Sequence, residues 1–275
     1  MNTSISISSI VESLKPEKNI LDILSKFEPI TLAEMDKVKL MNRIDTKFLV
    51  PLDRIDELLH KAIDYYRVVE IDGLRTLPYS SIYFDTDDFQ MYITHHNGKL
   101  NRQKIRMRSY LSSGISFLEI KTKNNKRRTK KKRIQIEKHK FDNVIFEENE
   151  VNLIKEKTPF NPDELSPSLQ NFFNRITLVD KNETERVTID LNLQYRLLNA
   201  PKCMGVKNLV VIELKQDGNS TSHFKEWLSH SSLLPKGMSK YCLGMVMTHE
   251  GIKANRFKKK LRYINKITGI EQLAV

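Results

Sequence analysis

Along KIRMRSY, residues 104–110, cations and apolar side chains take turns: Lys104, Arg106 and Arg108 alternate with Ile105 and Met107. An extended chain sends successive side chains to opposite faces, so this stretch has one ionic face and one apolar face. The rule gives the same result elsewhere. In NRIDTKFLV, Ile44 and Phe48 leave Arg43, Asp45 and Lys47 opposite; in SSIYFDT, Ile82 and Phe84 leave Ser81, Tyr83 and Asp85. In FLEIKTK, Leu118 and Ile120 leave Glu119, Lys121 and Lys123, and in KKKRIQIEK, Ile134 and Ile136 leave Lys131, Arg133, Gln135 and Glu137. RVTIDLNLQYR sets Val187, Ile189, Leu191 and Leu193 against Arg186, Thr188, Asp190 and Gln194. VVIELKQ sets Val210, Ile212 and Leu214 against Val211, Glu213 and Lys215.

A file of like charges on one face repels itself and needs counter-charge from acids, solvent or an anionic ligand. For a single strand the ordinary outcome is a face turned to water. A whole set of strands with an Arg-rich ionic face leaves two α+β readings open: an open sheet whose charged face meets water, and a sheet that closes. In the closed sheet the apolar faces lie outside beneath helices, and the ionic faces line a tunnel that wraps a polyanion. Composition agrees with an anionic partner: 46 Lys and Arg against 34 Asp and Glu leave the 275-residue chain at +12. Charge alone does not choose among polyphosphate, nucleic acid and an acidic membrane surface.

Around these strands, residues 16–40 read as a helical brace in which Thr31 and Glu34 form a capping-box pair. Pro51 opens a helix whose stripe is Leu52, Ile55, Leu58, Leu59 and Ile63. Residues 141–178 read as polar loops with helical pieces, and ANRFKKKLRYINKITG as a basic helix suited to bracing the fold or meeting an acidic membrane surface or a membrane-associated partner. The expected organisation is a brace at 1–40, a main domain at 41–250 and a basic helix or tail at 251–275. An E-x-K echo, Glu119 with Lys121 and Glu213 with Lys215, hints at related halves. The N-terminus lacks the apolar core of a secretory signal and no eighteen apolar residues run together, which predicts a cytoplasmic protein. Cys203 and Cys242 have no C-x-x-C spacing and the seven histidines no ligand spacing, so reduced thiols and no histidine metal centre are expected.

In order along the chain, LMNRIDTKFLV, IYFDT, KIRMRSY, FLEIKTK, RVTIDLNLQYR, VVIELKQ and MSKYCLG resemble the polyphosphate polymerase (VTC) domain family of the triphosphate tunnel metalloenzyme, CYTH-like, superfamily, over about residues 28 to 250. The resemblance implies a closed antiparallel β-barrel of about eight strands with helices packed outside. It implies synthesis of inorganic polyphosphate from ATP with Mn2+ or Mg2+. It further implies that Lys47, Arg106, Arg108, Lys121, Arg186 and Lys240 act on the phosphates, with Ser239 beside them, and that Glu213 holds the metal. The ionic faces add Arg43, Lys104, Lys131, Arg133 and Lys215 as substrate-binding candidates.

The chain departs from the hydrolytic and cyclase-type relatives of that superfamily, which open with E-x-E-x-K. Here the motif is R-x-D-x-K at Arg43, Asp45 and Lys47. Fewer acids mean fewer metal sites and weaker activation of water, which favours transfer over hydrolysis. The rival readings are a triphosphatase on the same fold, a sensor that binds polyphosphate without turnover, and an RNA-binding module suggested by KTKNNKRRTKKKRIQ. The last lacks the aromatic interleaving of an RNA reader, so no specific nucleic acid is expected.

Overall fold

In the computed structural model the two-faced strands join in one large antiparallel sheet. Residues 7–37, 43–126, 129–200, 203–218 and 221–273 are described. The strands are β1 (Glu28–Ile30), β2 (Arg43–Pro51), β3 (Tyr66–Val69), β4 (Leu77–Asp85), β5 (Arg102–Tyr110), β6 (Ser116–Lys123), β7 (Thr129–Ile136), β8 (Ser166–Asp180), β9 (Glu185–Arg196), β10 (Met204–Gly205) and β11 (Leu209–Asp217). The helices are α1 (Ile7–Ser13), α2 (Lys18–Leu24), α3 (Leu32–Lys37), α4 (Ile55–Ala62), α5 (Gln90–His96), α6 (Lys138–Asn143), α7 (Glu148–Lys157), α8 (His223–His230), α9 (Lys240–Thr248) and α10 (Lys258–Thr268). The main path runs β2-β11-β9-β8-β4-β5-β6-β7, and the short β1, β3 and β10 attach at its sides.

The sheet is not closed. Its terminal strands β2 and β7 do not pair with each other, which overturns the expected barrel and its sealed tunnel. Lys130, Lys131, Lys132 and Arg133 make β7 an exposed cationic edge, a charge pattern that opposes edge-to-edge pairing. At the other edge the Lys236 N–H donates to the Lys47 carbonyl at 2.7 Å, so a loop meets β2 where a barrel would have a strand.

The outer face follows the alternation. Phe48, Val50, Ile176, Leu178, Val187, Ile189, Val210 and Ile212 pack with side chains of α2, α4 and α8. Ile82, Phe84, Ile105, Met107, Leu118 and Ile120 pack with Phe141 of α6 and Ile154 of α7. Fully burying each such side chain contributes roughly 1.5–3 kcal/mol, and this fixes which face the cations take.

The inner face is not wholly polar, and the helices are not all outside. Tyr241 and Met245 of α9 pack on Leu49, Leu169, Phe173, Leu193, Tyr195 and Val211 of the inner side. A Cβ at Gly244 would collide with the Leu169 and Tyr195 side chains, so glycine is what lets α9 lie this close to the sheet. Leu193 reaches this layer through a bulge at Asn192, where φ is +54° and the β8–β9 register shifts between Phe172 and Asn174. Beyond it the alternation inverts. Gln194, expected on the ionic face, instead donates to the Ser13 Oγ at 2.9 Å.

The stretch read as loops and helical pieces contains β8, a central strand covered on both faces. The capping pair is present as read: the Thr31 N–H donates to Glu34 Oε2 at 2.9 Å and the Glu34 N–H to Thr31 Oγ1 at 3.3 Å. No helix among the described residues is long and apolar enough to cross a membrane.

Candidate functional site, a cationic trough on the inner face

Alternation along β5 and β6 turns Lys104, Arg106, Arg108, Glu119 and Lys121 to the inner face, with Arg106 directly across from Glu119 and Lys104 across from Lys121. Arg106 donates from Nε and Nη2 to Glu119 Oε2 at 2.8 and 2.6 Å, and from Nη1 to the Tyr83 hydroxyl at 3.2 Å. Lys131 reaches Glu119 from the edge strand β7. Arg108 is 8% exposed yet has no carboxylate partner among the described residues; its Nε donates to Ser81 Oγ at 3.2 Å. Its guanidinium lies 5.6 Å from the Tyr79 ring centre and 6.0 Å from that of Phe173. Lys121 makes no hydrogen bond or ion pair with any described residue. Arg133 is exposed on β7 with its guanidinium 4.6 Å over Phe117.

The far end of the sheet repeats this arrangement. Glu213 on β11 is flanked by Lys47 of the edge strand β2 at 2.5 Å and by Lys215 at 3.4 Å. The E-x-K echo therefore occupies equivalent places, each glutamate one strand in from an edge and bound by a lysine of that edge. Arg186 stands across from Lys215 in the β11–β9 register. Between the two ends, Arg175 on β8 grips Asp190 of β9 bidentately, Nε to Oδ1 at 2.6 Å and Nη2 to Oδ2 at 2.8 Å, and Lys240 at the start of α9 joins Asp190. Tyr79 and Phe173, stacked at 5.2 Å, form an aromatic floor over which Arg108, Arg175 and Lys240 converge.

The candidates thus fall into distinct settings. Lys47, Arg106, Arg108, Lys121, Lys131, Lys215 and Lys240 share the trough, while the Arg43 side chain lies outside the described residues. Ser239 is the N-cap of α9: its Oγ accepts from the Cys242 N–H at 3.2 Å and from Lys104 Nζ at 2.8 Å, so capping occupies much of its capacity. Asp85 accepts from the Met91 and Tyr92 N–H groups and the Tyr241 hydroxyl, which makes it an anchor for α5 and α9. Arg175 was absent from the sequence candidates because its strand was not recognised. Its signal was the alternation of Arg175 and Thr177 with Ile176 and Leu178.

Cations crowd the trough faster than acids neutralise them. Burial alone would raise the carboxyls of Glu119, Asp190 and Glu213, yet neighbouring Arg and Lys charges hold all three below the usual carboxylate range. Lys121 is pushed down to about 6, by the Arg106 charge, burial and the Arg108 charge in that order. Glu213 also acts on Lys121, so the sheet curls enough to bring its second and seventh strands within electrostatic reach. Burial takes Lys215 and Lys240 down to about 8.

A pH dependence follows. Lys121 is largely neutral above about pH 6 in the empty trough, and a bound polyanion favours its charged form. Binding therefore takes up a proton, and affinity for tripolyphosphate falls as pH rises above 6. Calorimetry in buffers of different ionisation enthalpy measures that uptake, and Lys121→Arg should diminish it. Uptake unchanged in the variant would show that Lys121 is not the group.

No three His, Cys, Asp or Glu side chains among the described residues stand close enough to share a metal ion. Glu213 offers a single hard carboxylate between two lysines. A single carboxylate would hold a divalent ion only with most of its other ligands supplied from outside the protein, and Glu213 would be the residue to hold it.

Comparison with known proteins adds three findings. The family model described as VTC domain matches residues 42–249. No curated protein sequence matches the chain. Among solved structures, a putative adenylate cyclase from Bacillus halodurans is similar at 17% identity and a TM-score of 0.48, over 72% of this chain and 96% of that one. A putative adenylyl cyclase from Hippeastrum, described as having a dominant triphosphatase activity, is similar at 13% identity and a TM-score of 0.46, over 77% of this chain and 99% of that one.

Proposed function

The chain belongs to the VTC domain family, and from that premise we propose that it is a phosphotransferase that moves the γ-phosphate of ATP onto a growing polyphosphate chain held in the trough. The observation that carries this reading is two groups left without a partner on adjacent strands of a face already crowded with positive charge: the buried cation Arg108, and Lys121, which those charges keep largely neutral until an anion binds. An anion with closely spaced negative groups supplies what the protein leaves out.

Transfer is favoured over hydrolysis by the state of the acids. Glu119, Asp190 and Glu213 are each bound by cations and held ionised to unusually low pH, which makes them weak bases for taking a proton from water. A terminal phosphate oxygen is already an anion and needs no base. The work left to the protein is alignment and charge stabilisation: Arg106 and Arg108 lie about 7 Å apart along β5 and span neighbouring phosphates, with Lys47, Lys215, Arg175 and Lys240 across from them. A Mn2+ or Mg2+ ion held by Glu213 would supply further neutralisation of the phosphate charge.

The deciding experiment incubates the purified protein with γ-labelled ATP and Mn2+ or Mg2+ and separates the products on a gel. A labelled ladder is expected. Free phosphate alone would make it a triphosphatase, and unchanged ATP with retained polyphosphate binding would make it a sensor. For the metal, Mn2+ is expected to tighten ATP binding on the order of tenfold in the wild type and to lose that effect in Glu213→Gln. An unaltered metal effect in the variant would remove Glu213 from the metal site.

A further inference from the structure

The file of cations on β5 and β6 does not stop where a triphosphate would. Cross-strand positions run from Arg108 opposite Phe117, through Arg106 opposite Glu119 and Lys104 opposite Lys121, to Arg102 opposite Lys123. From Arg108 to Arg102 is six residues, about 20 Å along an extended strand. Three phosphates joined by two bridging oxygens are too short to reach from one end to the other. This end borders a narrow crevice of about 30 Å³ between α5, α9 and α10, lined by His95, Ser239, Cys242 and Lys260: Lys104 Nζ donates to Ser239 Oγ at 2.8 Å, and the charges of Arg102 and Lys123 act on His95.

The chemistry of that mouth resembles the trough. Arg102 and Lys260 are half-buried and form no ion pair with any described carboxylate; Arg102 Nη1 donates to the Lys99 carbonyl at 3.1 Å, which leaves its other donors to a ligand. The His95 Nδ1 is buried without a partner. Its imidazole is kept neutral, pushed down to about 2 by burial and by the charges of Lys104, Arg102, Lys260 and Lys123. Cations gathered this closely beside an unused ring nitrogen differ from an ordinary solvated helix face, such as that of the exposed Lys258 and Lys259, which directly precede Lys260 on α10.

We propose that Arg102 and Lys260, with His95, form a second anion subsite that holds the distal phosphates of a polyphosphate chain longer than a triphosphate, and that the chain passes the α9–α10 side of the trough. The proposal rests on reading the trough as a polyphosphate site. Its test compares binding of tripolyphosphate and of a long-chain polyphosphate to the wild type, to the double variant Arg102→Gln/Lys260→Gln and to the control Lys258→Gln/Lys259→Gln, all at matched salt and with thermal melts to verify folding. The double variant should lose on the order of tenfold or more in long-chain affinity, with a shallower salt dependence, and keep its tripolyphosphate affinity. The control should lose much less. Equal losses for the two ligands, an unaffected long-chain affinity, or a control as weak as the double variant would each overturn the subsite. A wild type that binds neither ligand would overturn the reading of the trough itself, whereas one that binds only tripolyphosphate would leave the trough standing and remove the subsite.

Discussion

Arg108→Ala is expected to slow phosphoryl transfer from ATP by on the order of a hundredfold or more while leaving the protein about as stable as the wild type. The two halves of that outcome share a cause. Arg108 is buried, its charge is disfavoured by burial and by Arg106, and no described carboxylate forms an ion pair with it, Glu119 acting on it only through space. What holds it is the Ser81 hydroxyl and the faces of Tyr79 and Phe173, contacts worth roughly 0.5–2 kcal/mol. Removing the charge relieves repulsion of similar size, so the folded state loses little. The transition state loses a cation aimed at the phosphate chain. Arg106→Ala is the contrast: it strips Glu119, which is fully buried, of its two-nitrogen grip and should destabilise the fold by about 3–5 kcal/mol. Single-turnover transfer, ATP affinity and thermal melts on the two variants measure this directly. An Arg108→Ala protein that melts far below wild type, or that loses rate only in proportion to ATP affinity, would end the assignment of Arg108 to catalysis.

That contrast also marks what the sequence conveys and what it conceals. Strict alternation in KIRMRSY and FLEIKTK places Arg106, Arg108, Glu119 and Lys121 on one face without any knowledge of partners, because the outward residues Ile105, Met107, Leu118 and Ile120 have only one way to be buried. Which cation is neutralised and which is left over depends on rotamers and cross-strand neighbours, and no periodicity carries that information. Closure was implied by the family resemblance and not by the faces, which suit an open sheet as well: face polarity says where side chains point, while pairing of β2 with β7 depends on edges, and the β7 edge is lined with lysine. β8 escaped notice because a central strand is covered on both sides. Phe172 and Phe173 are adjacent, both fully buried and on opposite faces, so the run shows no period of two where it is most buried. With β8 went Arg175. Asn192 misled in the opposite direction, since one left-handed residue inverts everything after it.

Asp190→Ala should be among the most destabilising single changes in the trough, by about 3–5 kcal/mol, and unlike a core cavity it should be rescued by ligand. Asp190 is 1% exposed and is the carboxylate that holds both Arg175 and Lys240. It ties the central strand β8 to β9 and fastens the first turn of α9 to the inner face. Without it two cations remain facing each other over Phe173, the stacked floor they share with Arg108. A bound polyphosphate brings back negative charge at that place, so saturating tripolyphosphate should raise the melting temperature of Asp190→Ala by more than it raises that of the wild type. A leucine-to-alanine change in the outer core, such as Leu118→Ala, supplies the control. It removes comparable stability through a cavity that no anion fills, and its ligand-induced shift should match the wild type's. Equal shifts for Asp190→Ala and the wild type would mean that the ligand does not reach Arg175 and Lys240. The phosphates would then lie on the β5–β6 side alone.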